Sequence, residues 1–252
     1  IDPTSFGSLP PMTKDNYLNT SVHSRADLVW DGDLGNVVNW SSSSGSTGKP
    51  SFWPRSIRSL YDSIRFHEQI LRDSFDADKH TTLVVNTFAM GNWIAGTYTL
   101  IAINGANELE MPVSIISPGN KIVEAVQAFA LAPNYEQVVI AGYPGFVKDF
   151  VDHLPREQLS ALNVKLLLAA EAISERWRTS MLDAIGKSDD PRAVTLIYGT
   201  AEAGVMAFET PASIAIRRAA DADPTLADAL FGRTHSALPT FATYDPMSRY
   251  VE

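Results

Sequence analysis

Between Trp40 and Trp53 the chain carries Ser41-Ser-Ser-Ser-Gly-Ser-Thr-Gly-Lys-Pro50, a run of small hydroxyl residues and glycines ending in one cation. Two kinds of chemistry could use it. Ser46 and Lys49 have the Ser-x-x-Lys spacing of serine acyl-transfer enzymes, in which the lysine helps to activate the serine one helical turn away. Gly48 and Pro50 oppose the helix that this spacing needs. The companion Ser-Asp-Asn and Lys-Thr-Gly patterns and the Gly-x-Ser-x-Gly elbow are also missing from the sequence. Alternatively, small residues let the backbone curl so that successive N–H groups converge on an anion, with Gly45 and Gly48 free to take positive φ and Lys49 adding charge. It is not a Walker loop, because Ser43 stands where the first glycine belongs and Pro50 follows the lysine. A flexible Ser/Gly linker is the third use, but the run is short and lies between a strand pattern and an amphipathic helix pattern.

Other polar and small residues gather in segments that interrupt apolar runs. They are Phe88-Ala-Met-Gly-Asn-Trp93, Ala141-Gly-Tyr-Pro-Gly-Phe146, Leu167-Leu-Ala-Ala-Glu-Ala-Ile-Ser174 and Tyr198-Gly-Thr-Ala-Glu-Ala-Gly204. The five histidines, His23, His67, His80, His153 and His235, form no metal-ligand spacing. They read as structural or surface residues. Cysteine is absent, which excludes disulfides, zinc–thiolate sites and a cysteine nucleophile.

The elements that must position these segments follow from periodicity. Residues 1–35 read as loop. Asn36–Trp40 reads as a short strand entering the serine run. After Pro54, Ile57, Leu60, Tyr61, Ile64, Leu71 and Phe75 fall near helical spacing behind a Ser56 N-cap. From there strand and helix patterns alternate through Ala193–Gly199, with contiguous apolar strands such as Leu83-Val-Val85 that suit burial on both faces. This predicts an α/β domain with a mostly parallel sheet flanked by helices. In such sheets ligands bind outside the carboxyl ends of the strands, where the segments quoted above would lie.

Composition limits the choice of partner. The chain has 252 residues, 45% hydrophobic and 19% charged, with net charge −9. A sizeable core is expected. A nucleic-acid surface is not, and there is no apolar run long enough to span a membrane. No signal peptide is read, and the expected compartment is the cytoplasm.

Ser41–Pro50 resembles the Ser/Thr/Gly-rich loop of the adenylate-forming superfamily: the acyl-coenzyme A synthetases, peptide-synthetase adenylation domains and luciferases. In the same order, Tyr198–Gly204 resembles that superfamily's Tyr-Gly-x-Thr-Glu motif and Leu167–Ser174 its adenine-packing segment. Leu9-Pro-Pro-Met-Thr-Lys-Asp-Asn-Tyr17 resembles the phenylacetate–coenzyme A ligase branch, and the resemblance covers most of residues 9–210. It implies the multilayer large N-terminal domain of these enzymes, incomplete at both ends, with residues 1–252 part of the nucleotide- and acid-binding domain and the small C-terminal domain absent. The sequence departs from the pattern at Ala201, where the family has Thr, and at Ala169 and Ala170, where it has two glycines.

The implied activity is activation of a carboxylic acid by ATP and Mg2+, with coenzyme A or another acceptor taking the acyl group. Ser44, Gly45, Ser46, Thr47, Gly48, Lys49 and Thr200 would hold the phosphates. Ala170, Glu171, Ala172, Tyr198 and Gly199 would hold adenine. Glu202 would hold the metal and, with Lys49, act in catalysis. Phe88, Met90, Trp93 and Tyr143 would line the pocket of an aromatic acid. The branch implies a homodimer. Each residue also has an ordinary use: Phe88 and Trp93 in the core, Glu171 as a helix cap, Tyr198 in a strand, Glu202 on the surface. The rivals are an adenylation-like binding protein with little turnover and a serine amidase using Ser46 and Lys49.

Overall fold

A computed structural model of the chain describes residues 8–19, 21–43, 50–232 and 238–246. Strands β1 (Asn39–Ser42) and β2 (Phe52–Arg55) form a separate antiparallel ribbon, with Trp40 opposite Pro54. The strand thus begins three residues later than Asn36, and β2 is one that periodicity did not disclose. Pro54 argues against a strand, but each member of a two-stranded ribbon is an edge, where proline's missing N–H costs no ladder bond.

The main sheet has seven strands in the order β4-β3-β5-β6-β7-β8-β9: β3 (Thr82–Asn86), β4 (Val113–Ile116), β5 (Gln137–Gly142), β6 (Val164–Leu168), β7 (Val194–Thr200), β8 (Gly204–Phe208) and β9 (Thr243–Tyr244). The first five in that order are parallel, and β8 and β9 are antiparallel to their neighbours. The predicted α/β class is therefore the observed one.

Helices cover both faces, and the period-two alternation of the strands decides which residue faces which layer. Leu83, Val85, Val138, Ile140, Leu166 and Leu168 meet α3 (Ile122–Phe129), α4 (Pro144–Asp152) and α6 (Glu175–Ala184), through Phe129, Phe150, Met181 and Leu182. Val84, Val139, Ala141, Leu167 and Ile197 face α1 (Ile57–Phe75) and α2 (Ile94–Glu108), through Ile70, Leu71, Phe75 and Ile103. Ser56 caps α1 as read from the sequence, accepting a hydrogen bond from the Ser59 N–H. Helices α5 (Arg156–Ala161), α7 (Pro211–Ala222) and α8 (Pro224–Phe231) complete the chain. Among the described residues no helix is long and apolar enough to cross a membrane.

Candidate active site

The phosphate-loop residues Ser44, Gly45, Ser46, Thr47, Gly48 and Lys49 lie outside the described residues. The two ends of their segment are described. The Ser43 N–H donates to the Ser51 carbonyl at 2.9 Å, and the Ser51 N–H donates to Ser43 Oγ at 3.0 Å. The Ser42 N–H donates to the Asn92 carbonyl at 2.9 Å, and Ser42 bridges to Trp93. The end of β1 is therefore held beside residues 87–93, which follow the carboxyl end of β3.

A second tie runs from the ribbon to the β7–β8 turn. Arg55, 6% exposed, lies with its guanidinium 5.4 Å from the centre of the Tyr98 ring. Its Nε and Nη2 donate to Ser41 Oγ, Nη1 donates to the Glu202 carbonyl at 2.9 Å, and Nη2 also donates to the Ala201 carbonyl. The turn between β7 and β8 is thus held by its backbone, while the Glu202 side chain is exposed and makes no ion pair among the described residues. Thr200 Oγ1 accepts the Ala203 N–H at 3.0 Å, so this hydroxyl closes the turn and keeps its proton for another acceptor.

β7 is broken by a bulge at Tyr198/Gly199. A Cβ on Gly199 would sit 2.5 Å from the Gly204 carbonyl oxygen, so the hairpin closes only over glycine. Across from it, Ala170 has φ of +77°, a left-handed conformation that suits glycine and strains alanine.

Two cavities adjoin here, both touching Ala170, Ile197 and Gly199. The larger, about 500 Å³, is lined by Ala170, Glu171, Ala172, Tyr198, Gly199 and Tyr244, among others. All five residues expected to hold adenine thus surround one hollow. The smaller, about 330 Å³, runs between α1, α2 and the sheet and is lined by His67, Phe88, Trp93, Tyr98, Thr99 and Thr200, among others. Of the expected acid-pocket residues, Phe88 and Trp93 line it; Met90 and Tyr143 do not. Met90 turns its sulfur toward Asn86 Nδ2 at 3.6 Å. Tyr143 precedes α4, on the far face of the sheet, and packs on Phe146 with ring centres 5.9 Å apart.

Sequence reasoning missed Arg55, Tyr98, Thr99 and the place of His67. Ser63 and His67 are one turn apart on α1, and His67 is only 2% exposed. Its Nδ1 is 2.9 Å from the Ser63 carbonyl oxygen. Burial lowers its pKa below the ordinary 6.5, against the opposing pull of that carbonyl.

A buried ion network supports the larger cavity from behind. Arg178 pairs with Glu175 at 3.0 Å and with Glu209 at 2.7 Å, and Arg217 also pairs with Glu175. Arg217 donates to the Ile173 and Leu238 carbonyls at 2.7 and 3.1 Å. Glu209 accepts the Leu196 N–H at 3.0 Å. The segment after β6, strand β7 and residues 238–240 are thereby fixed to one another. Burial pushes the Glu209 carboxyl up, and Arg178 opposes that shift.

No protein-family model matches the chain, and no curated protein does. Solved structures do match. An open form of 2-hydroxyisobutyryl-CoA ligase in complex with 2-HIB-AMP and CoA is similar with a TM-score of 0.53 and 11% identity, over 71% of this chain and 40% of that one. The same ligase in its thioesterification state gives 0.54 and 13%, over 70% and 36%. Fatty acyl-adenylate ligase from L. pneumophila, in complex with acyl adenylate and pyrophosphate, gives 0.50 and 17%, over 69% and 31%. The fold is thus one shared with adenylate-forming acid ligases, and this chain spans 40% of the length of the first of them.

Proposed function

We propose that the chain is part of the nucleotide- and acid-binding domain of an ATP-dependent acid ligase that forms an acyl-adenylate and passes the acyl group to coenzyme A or a similar acceptor. One observation carries this: two unlike cavities meet at Gly199 and Ala170, on the carboxyl edge of a parallel sheet. A molecule with an apolar acyl end and a nucleoside end would fill both and place its anhydride at their junction.

The chemistry to be performed is the attack of a carboxylate on the α-phosphorus of a polyanion. Two negative groups must meet, so fixed donors and cations have to offset their repulsion. The Thr200 hydroxyl, at the rim of the smaller cavity, would donate to an oxygen at the reacting centre. Lys49 and the N–H groups of residues 44–49 would hold the leaving pyrophosphate. Tyr198 and the backbone of residues 170–172 would bracket the adenine, whose slot the left-handed turn at Ala170 shapes.

Glu202 fits a magnesium ligand by its chemistry: a lone exposed carboxylate on a turn whose backbone is clamped by Arg55. Phosphate oxygens and water would complete the shell, the hard oxygen set that magnesium prefers. When bound, the ion would neutralise phosphate charge. Aromatic walls from Phe88, Tyr98 and Trp93 favour an acid with a flat apolar body.

Calorimetric titration with ATP and magnesium tests this. One molar equivalent is expected to bind, with affinity lowered about tenfold or more in Lys49→Ala and in Glu202→Ala, the loss of a charge-assisted contact to phosphate. Equal binding by the parent and both variants contradicts the assignment.

A further inference from the structure

The smaller cavity has an open rim and a closed floor. Trp93 at its mouth is 43% exposed, whereas His67, Phe88 and Thr99 are 2%, 3% and 2% exposed. His67 and Thr99 are therefore the most deeply buried polar residues of a lining that also carries the Ser42, Tyr98 and Thr200 hydroxyls.

His67 is held in one tautomer. A carbonyl only accepts, so Nδ1, facing the Ser63 carbonyl at 2.9 Å, must carry the ring's proton. Nε2 is then a bare lone pair. It has no hydrogen-bond partner among the described residues, and neither has Thr99 Oγ1. Both residues line the cavity while only 2% exposed, so whatever fills it meets these two polar atoms. Among the described residues the lining contains no Asp or Glu, so a charged donor would enter without a counter-ion, at a high desolvation cost. A hydroxyl meets both needs at once, since its proton can go to Nε2 while its oxygen accepts from Thr99.

We infer that the acid bound in this cavity carries a neutral hydroxyl at the end remote from its carboxylate, received by His67 and Thr99. This rests on the reading of the smaller cavity as the acid's own. His67 would be a specificity-determining residue, taking no part in the transfer itself.

Matched acids test it: benzoate and phenylacetate, each unsubstituted, hydroxylated at ring position 3 or 4, or methoxylated there, titrated calorimetrically into the protein with ATP and magnesium present. A hydroxy acid is expected to bind about tenfold more tightly than its unsubstituted and methoxy partners, the worth of one buried hydrogen bond whose loss strands its acceptor. His67→Leu should abolish that preference, and His67→Gln, which offers an amide oxygen, should keep part of it. Equal binding of the matched acids to the parent overturns the inference, with an ordered water at His67 as the explanation, and leaves acid activation standing. Binding of ATP with no binding of any acid overturns the assignment of the cavity and the inference with it. Binding of neither overturns the proposed function as well. The comparison within the parent protein decides the matter even where a variant does not fold.

Discussion

Arg55 and Glu202 are joined across 147 residues: the Arg55 Nη1 donates to the Glu202 main-chain carbonyl at 2.9 Å while the Glu202 carboxylate stays exposed. A buried guanidinium thus sets the position of a turn, and the turn presents an acid. Because Arg55 lies in β2, the ribbon that carries Ser43 and Ser51 also orients the turn. Arg55→Met should destabilise the protein by about 1–3 kcal/mol, since two partly buried carbonyls and the Ser41 hydroxyl lose their donor. It should also weaken ATP–magnesium binding although Glu202 is untouched. Arg55→Lys, which keeps the charge but not the planar fork, should recover only part of either loss. Urea unfolding and calorimetry read the two effects separately.

Glu209→Gln should cost about 3–5 kcal/mol, because it leaves two buried guanidiniums, Arg178 and Arg217, to share the one carboxylate of Glu175. The same substitution should loosen the segment after β6 and residues 238–240, seen as faster amide hydrogen exchange around the larger cavity.

Ala170→Gly should stabilise the fold by about 0.5–1 kcal/mol. At φ of +77° the relief of strain outweighs the added freedom of glycine in the unfolded chain. A rise in the urea midpoint is the expected result. Ala170→Val at the same place should lower it.

His67 links stability to pH. Its folded pKa lies below 6.5, chiefly through burial, so below about that pH the unfolded chain takes up a proton that the folded one refuses. The contribution is complete above pH 6.5 and is lost as the pH falls toward the folded value. Parent and His67→Gln midpoints, measured from pH 8 down to pH 5, should therefore diverge in slope, the parent falling more steeply.

Much of the sheet was legible because its inner strands, Thr82–Asn86 and Val164–Leu168, are buried on both faces and so carry contiguous apolar runs, Leu83-Val-Val85 and Leu166-Leu-Leu168. The ribbon was not, since Pro54 hides β2 and nothing local announces a two-stranded edge. Nor were β8 and β9, whose pairing with β7 comes from a bulged hairpin and a returning distant segment. Around the site, the resemblance of two motifs, each read as a loop at a strand's carboxyl end, gathered Tyr198, Gly199 and residues 170–172. It could not say on which face of the sheet a loop residue turns, and so Met90 and Tyr143 were grouped with Phe88 and Trp93. Arg55 and His67 act through contacts far apart in the chain or inside a helix, where a lone polar residue carries no local signal of burial.

The most direct measurement is a crystal structure with a non-hydrolysable acyl-sulfamoyl adenosine. The expected density places adenine over Tyr198 in the larger cavity, the acyl group between Phe88 and Trp93 in the smaller, and the sulfamoyl link beside Gly199 and Thr200. Adenosine density in any other part of the molecule, or a ligand that leaves both hollows empty, would contradict an adenylate site at this junction.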